Sequence, residues 1–72
     1  MDEKKAFMVR VSGYSCCFWF DFSANVDWFM ELCGEDGLPS WAFKRNELGQ
    51  YERYACYVMD ADSGYIIKRG ED

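Results

Sequence analysis

The chain has 72 residues and a net charge of −5, and half of its residues are hydrophobic. This length predicts a single domain spanning residues 1–72, with a small core that depends on its aromatic side chains, which make up 19% of the chain. The acidic balance and the scatter of the eight basic residues along the sequence argue against direct binding of nucleic acid or of a membrane. Both ligands require clustered Lys and Arg.

The negative charge is concentrated in the middle of the chain. Residues 11–43 contain no Lys or Arg, and the acidic and basic residues outside this block balance each other. A one-sided acidic field on such a small domain favours a surface that meets a basic partner. The acidic residues of the block are Asp21, Asp27, Glu31, Glu35 and Asp36.

The first two predicted elements are strands. Residues 6–12 alternate between apolar and other side chains, and a turn follows at 13–15. Residues 16–22 form the second predicted strand, in which Phe18 and Trp19 point to opposite faces. The short link between the two strands predicts an antiparallel hairpin.

The period then changes to that of an amphipathic helix, predicted near residues 25–34. Asn25 is the expected N-cap, Asp27 is expected in the first turn, and Gly34 is the expected stop. The apolar stripe of this helix consists of Val26, Phe29, Met30 and Cys33.

Three further strands are predicted at 41–45, 51–59 and 65–69, separated by turn-forming segments. The order of elements is therefore ββαβββ. The predicted fold class is α+β, with an antiparallel sheet of four to five strands and one short helix packed on one face.

One helix can cover only one face of such a sheet, yet two strands are apolar on both faces. The 51–59 strand places Tyr54, Cys56 and Val58 on one face and Ala55, Tyr57 and Met59 on the other. Two interpretations stay open: the uncovered face exposes a patch around Trp19 and Cys17 that forms a homodimer or a partner interface, or the sheet curls and buries both sides.

The acidic residues of the helix form a stripe. Asp27, Glu31 and Glu35 are spaced by four, so they lie on one helical face if the helix reaches position 35. Such a stripe could imitate the phosphate row of a nucleic acid, or it could be an ordinary solvated helix face. We name Asp27, Glu31, Glu35, Asp36, Asp21 and Trp19 as the candidate partner-binding residues.

No catalytic or metal-binding motif emerges. The four cysteines lack the paired spacing of zinc sites, and the chain has no His to act as a ligand or as a catalytic base. We expect no metal, no cofactor and no enzymatic activity. Since no signal peptide is visible, we expect a cytoplasmic protein with four reduced thiols.

In size and charge, the chain resembles the small acidic proteins that phages and mobile elements encode to block host defence or nucleic-acid enzymes. The resemblance implies an inhibitor that acts in the cytoplasm of a host cell, where it occludes a basic, nucleic-acid-binding site on a protein partner. The alternative is an oligomer that binds or sequesters a small molecule in a Tyr- and Trp-lined pocket. That pocket would draw on Tyr51, Tyr54, Tyr57, Tyr65, Trp19 and Trp41.

Overall fold

A computed structural model describes residues 5–70 of the chain. It contains one antiparallel five-stranded sheet and one helix, which confirms the predicted α+β class and the order ββαβββ. The elements are β1 (Phe7–Val11), β2 (Cys17–Phe20), α1 (Ser23–Glu35), β3 (Ser40–Arg45), β4 (Tyr51–Met59) and β5 (Ile66–Gly70).

The strands lie in the order β2-β1-β3-β4-β5, and every neighbouring pair is antiparallel. The β1–β2, β3–β4 and β4–β5 pairs are hairpins between consecutive strands. The helix provides the remaining connection, because it leads from β2 across β1 to β3. It therefore packs on one face of the sheet, which we call the covered face, and the opposite side is the open face.

The core lies between α1 and the covered face. Val26 and Met30 of the helix are fully buried, as are Val9 of β1 and Ala42 of β3. Ala42 pairs directly with Ala55 of β4, so two small side chains lie side by side at the centre of the covered face. This leaves room for the larger helical side chains. Phe18 and Phe20 of β2 extend the core through ring contacts with Phe29 of the helix, at centroid distances of 4.9 and 5.2 Å.

The helix begins two residues earlier than predicted. Phe22 is its N-cap, with extended backbone angles (φ −128°, ψ 142°) and a carbonyl that accepts the amides of Asn25 and Val26. Its side chain makes no capping hydrogen bond. The prediction that Asn25 caps the helix is wrong, because Asn25 lies inside the first turn, and Asp27 lies beyond that turn.

The helix also ends later than predicted. Gly37 (φ +79°), not Gly34, adopts the left-handed conformation that stops it. The amide of Gly37 donates to the carbonyl of Gly34, and the amide of Leu38 donates to that of Cys33, which is the Schellman arrangement. Gly34 has a different role: a Cβ there would lie 3.1 Å from Cγ2 of Ile66, so the glycine lets β5 approach the helix.

A bulge in β4 changes which side chains face the helix. Ala42 pairs with Ala55, but the next residue of β3, Phe43, pairs with Arg53, so Tyr54 has no partner across the ladder. The ring of Tyr54 contacts Phe7 on the covered face at a centroid distance of 6.0 Å. The predicted grouping of Tyr54 with Cys56 and Val58 is therefore wrong, because strict alternation along β4 breaks at this residue.

The helix boundary can be tested by substitution. We expect Phe22→Asp to stabilise the protein by about 0.5–1 kcal/mol, because an N-cap carboxylate accepts an amide proton that the Phe22 side chain leaves without an acceptor. Asn25→Ala should change stability by only a few tenths of a kcal/mol. Urea unfolding of the two variants measures both effects. If Asn25→Ala instead lowers the free energy of unfolding by about 1 kcal/mol or more, Asn25 rather than Phe22 is the N-cap.

Candidate functional site

The six candidate residues do not form one surface. Trp19 lies on the open face, since it pairs with Met8, which alternates with the buried Val9. Asp21 follows the end of β2, and Asp36 is the C-cap of the helix. Only Asp27, Glu31 and Glu35 share a flank, the one that faces β5. The structure thus confines the predicted acidic stripe to the helix and separates it from Trp19.

Two of the predicted acidic residues are already paired within the protein. Asp27 accepts a hydrogen bond from Lys68 of β5 at 3.3 Å, and Asp21 accepts one from Lys5 at 3.1 Å. Both pairs are about half exposed, so each contributes at most about 1 kcal/mol to stability. Among residues 5–70, Glu31, Glu35 and Asp36 have no ion-pair partner. Among the predicted acidic residues, those available to another molecule therefore lie toward the C-terminal half of the helix.

The helix exposes a second apolar stripe that the sequence analysis missed. Trp28 is 60% exposed and Leu32 is 41% exposed, on the side of the helix opposite the buried stripe. They are one turn apart, and Glu31 and Glu35 lie beside them. We call Trp28, Glu31, Leu32 and Glu35 the outer helix surface. The i, i+4 spacing of Trp28 and Leu32 outside the main stripe was the available signal.

A groove lies on each side of this surface. The first, between α1 and β5, has a volume of about 350 Å³ and is lined by Glu31 and Glu35 together with Gly34, Tyr57, Tyr65 and Ile66. The second, between α1 and the β1–β2 turn, has a volume of about 240 Å³ and is mostly apolar, with Leu32, Cys33 and Asp36 on its helical wall. The outer helix surface is therefore a ridge with an acidic flank and an apolar flank.

The open face carries every arginine of the chain. Strand pairing places Arg10, Arg45, Arg53 and Arg69 there, because each pairs with a residue of that face. Within residues 5–70, no Asp or Glu occupies a paired position on this face. Arg69 forms an ion pair with Asp60 at 3.2 Å. The basic residues that are scattered along the sequence are thus partly gathered by the fold.

Aromatic rings lie among these arginines. Trp41 lies between Arg10 and Cys56 in the ladder, and Phe43 lies between Met8 and Arg53. The rings of Trp19 and Tyr51 meet edge-on at 5.5 Å, and the Tyr51 hydroxyl donates to the carbonyl of Lys5 at 2.6 Å.

The sheet curls enough to bring these two rings together but leaves Trp19 49% exposed. The aromatic residues named for a ligand pocket are divided between the faces, because Tyr54 and Tyr57 lie on the covered face. The homodimer predicted from Trp19 stays a prediction. A symmetric sheet-to-sheet contact would set the arginines of one copy against those of the other.

Burial raises the pKa values of three groups near the helix, which belong to Cys33, Tyr54 and Tyr57. It raises the pKa of the Cys33 thiol, and the neighbouring Asp36 carboxylate raises that pKa further. Burial also raises the pKa of Tyr54, with a smaller contribution from Asp27. The pKa of Tyr57 is raised mainly by burial, which outweighs the opposing effect of Lys68. The Tyr54 hydroxyl has no hydrogen-bond partner among the described residues.

The four cysteines lie as free thiols, of which Cys16 is exposed and Cys33 is buried. No cluster of three or more potential metal ligands occurs within residues 5–70. Across the same residues, no helix has the length and apolar character needed to cross a membrane. Comparison with protein-family models, curated proteins and solved structures finds no match.

The raised tyrosine pKa values predict a loss of stability at alkaline pH. Below about pH 10 the tyrosines are protonated in both states. Above it, the unfolded chain releases protons that the folded protein keeps, so the free energy of unfolding falls as pH rises. We expect Tyr54→Phe to reduce this slope. At neutral pH the substitution should stabilise the protein, by at most about 1 kcal/mol. Denaturant unfolding between neutral and alkaline pH measures both. An unchanged alkaline slope in Tyr54→Phe would contradict the assignment.

Proposed function

We propose that the protein is a non-catalytic binding protein whose outer helix surface docks on a basic site of a protein partner and excludes nucleic acid from that site. The observation that carries the proposal is that exposed apolar anchors lie beside acids with no ion-pair partner in the described part of the chain: Trp28 and Leu32 beside Glu31 and Glu35. The resemblance in size and charge to phage and mobile-element inhibitors supports this proposal. An inhibitor of this kind would act in the cytoplasm of a host cell.

The apolar residues would supply most of the affinity. Trp is among the commonest hot-spot residues of protein interfaces, and a truncated hot spot costs about 2 kcal/mol or more. A helix that lays exposed i, i+4 residues into a groove is a recurrent mode of recognition. Trp28 and Leu32 have this spacing, and no charged side chain lies between them on their own stripe.

The acids would supply steering and selectivity. Each exposed ion pair contributes only about 0.2–1 kcal/mol, so Glu31 and Glu35 cannot hold a partner by themselves. They act at longer range, because a negative surface raises the rate of encounter with a positive one and repels acidic competitors. The absence of Lys and Arg from the whole helix keeps this field uncancelled.

The proposal can be tested by affinity capture from a nuclease-treated bacterial lysate, followed by mass spectrometry. The immobilised wild-type protein should retain a partner with a basic surface at low salt, and added nucleic acid should displace that partner. Trp28→Ala combined with Leu32→Ala should weaken capture by roughly thirtyfold or more. Glu31→Lys combined with Glu35→Lys should slow association and make capture less dependent on salt.

A matched control removes the effect of net charge. Glu47 and Asp62 are exposed acids in the β3–β4 and β4–β5 connections, and neither lines the two grooves beside the outer helix surface. Reversing both to Lys changes the net charge as much as reversing Glu31 and Glu35, but should preserve capture. All variants should keep melting temperatures within a few degrees of the wild type. Equal loss in the control, or a partner that nucleic acid does not displace, would contradict the proposal.

A further inference from the structure

We propose that the open face of the sheet binds single-stranded nucleic acid. This site is independent of the outer helix surface, since the two lie on opposite sides of the molecule. It also departs from the expectation that nucleic acid is not a direct ligand. That expectation depended on the scatter of basic residues along the sequence, whereas the fold places all four arginines on one face.

The arginines are distributed across the face so that an extended anionic chain could contact several of them. One row of paired residues crosses all five strands in the order Cys17, Arg10, Trp41, Cys56, Arg69. Since neighbouring strands are about 4.8 Å apart, Arg10 and Arg69 are separated by roughly 14 Å. Arg45 lies further along β3, four residues from Trp41. The side chains of Arg10 and Arg45 make no ion pair within residues 5–70, and guanidinium groups bind phosphate in a bidentate manner.

The rings between the arginines favour a ligand with planar groups. Trp19 is half exposed, and its edge-on contact with Tyr51 leaves ring surface open to solvent. Proteins that bind single strands without sequence preference combine a positive surface with aromatic side chains on which bases stack. An acidic protein segment offers charge to the arginines but offers rings only where it contains aromatic residues, whereas every nucleotide carries a planar base. The mixture of both therefore favours a nucleic acid over an acidic peptide.

The negative net charge of the protein does not prevent this binding. Glu31 and Glu35 of the outer helix surface lie on the opposite side of the sheet from this face, and the molecule measures 20 Å across its shortest axis. At physiological ionic strength the Debye length is about 8 Å, so a strand on the open face is largely screened from the carboxylates behind it. In a duplex the faces of the bases are stacked on one another and only their edges are exposed, so a single strand, whose base faces are free to stack, is the preferred form.

Fluorescence anisotropy with a labelled oligothymidylate of about 12 nucleotides tests the proposal. The wild type should bind it, and the affinity should fall as salt rises. Arg45→Glu should weaken binding by about tenfold, and Arg10→Glu by a similar factor. Trp19→Leu, which keeps an apolar side chain but removes the ring, should weaken it by at least about fivefold.

Lys44 provides the matched control, because it adjoins Arg45 in β3 but lies on the covered face, paired with Phe7 and Glu52. Lys44→Glu changes the net charge as much as Arg45→Glu and should alter affinity by less than about threefold. Circular dichroism should show the same fold for every variant, since Arg10, Arg45 and Lys44 are all exposed. The combined Glu31→Lys and Glu35→Lys variant should bind the oligonucleotide at least as well as the wild type.

Three results would overturn the proposal: no binding by the wild type at low salt, equal losses in Lys44→Glu and Arg45→Glu, or equally tight binding of a polyglutamate peptide. The last would identify an acidic protein segment as the occupant. None of these results would contradict the proposed function of the outer helix surface. That function is tested separately, because the Arg45→Glu variant should capture the protein partner as the wild type does.

Discussion

The structure depends on a simple limit: one 13-residue helix has to cover a five-stranded sheet, and it can cover only one side. The buried side chains of the domain are accordingly on the covered face or on the helix stripe above it. The open face has to remain stable with no second layer among residues 5–70. It does so in part with large rings that shield one another, such as Trp19 and Tyr51.

This one-sided packing also separates the charges. The helix carries acids and no basic residue, while the open face carries the arginines and no acid at its paired positions within the described part of the chain. The net charge of −5 describes neither surface. The net charge argues against binding of an anionic ligand. The separation of the charges nevertheless favours such binding at the open face, but not at the helix. The β4 bulge contributes directly: without it, alternation from Ala55 would turn Arg53 and Tyr51 toward the helix.

Local patterns in the sequence were sufficient for the element order, the single helix and the strand at 51–59. They were sufficient because apolar period and turn residues act over a few neighbours. Most of the predictions that were wrong concern contacts between residues that are distant in the sequence. The N-cap is the exception: Asn25 is a good capping residue, but the helix begins earlier, at Ser23, and the Phe22 carbonyl accepts the amides of Asn25 and Val26. The pairing of Asp27 with Lys68 and the position of Tyr54 depend on strand register, which alternation within one strand cannot specify. The position of Arg10 on the open face could have been predicted from the sequence, because Arg10 alternates with the apolar residues Val9 and Val11.

The division into an acidic and an arginine-rich surface can be measured without any ligand. Amide relaxation by NMR, recorded with a cationic and then with an anionic paramagnetic co-solute, reports the local potential residue by residue. We expect amides near Glu31 and Glu35 to relax faster with the cationic probe, and those near Arg10 and Arg45 to relax faster with the anionic one. A preference for the cationic probe at all these positions would contradict this expectation, because it would show that the net charge governs both faces.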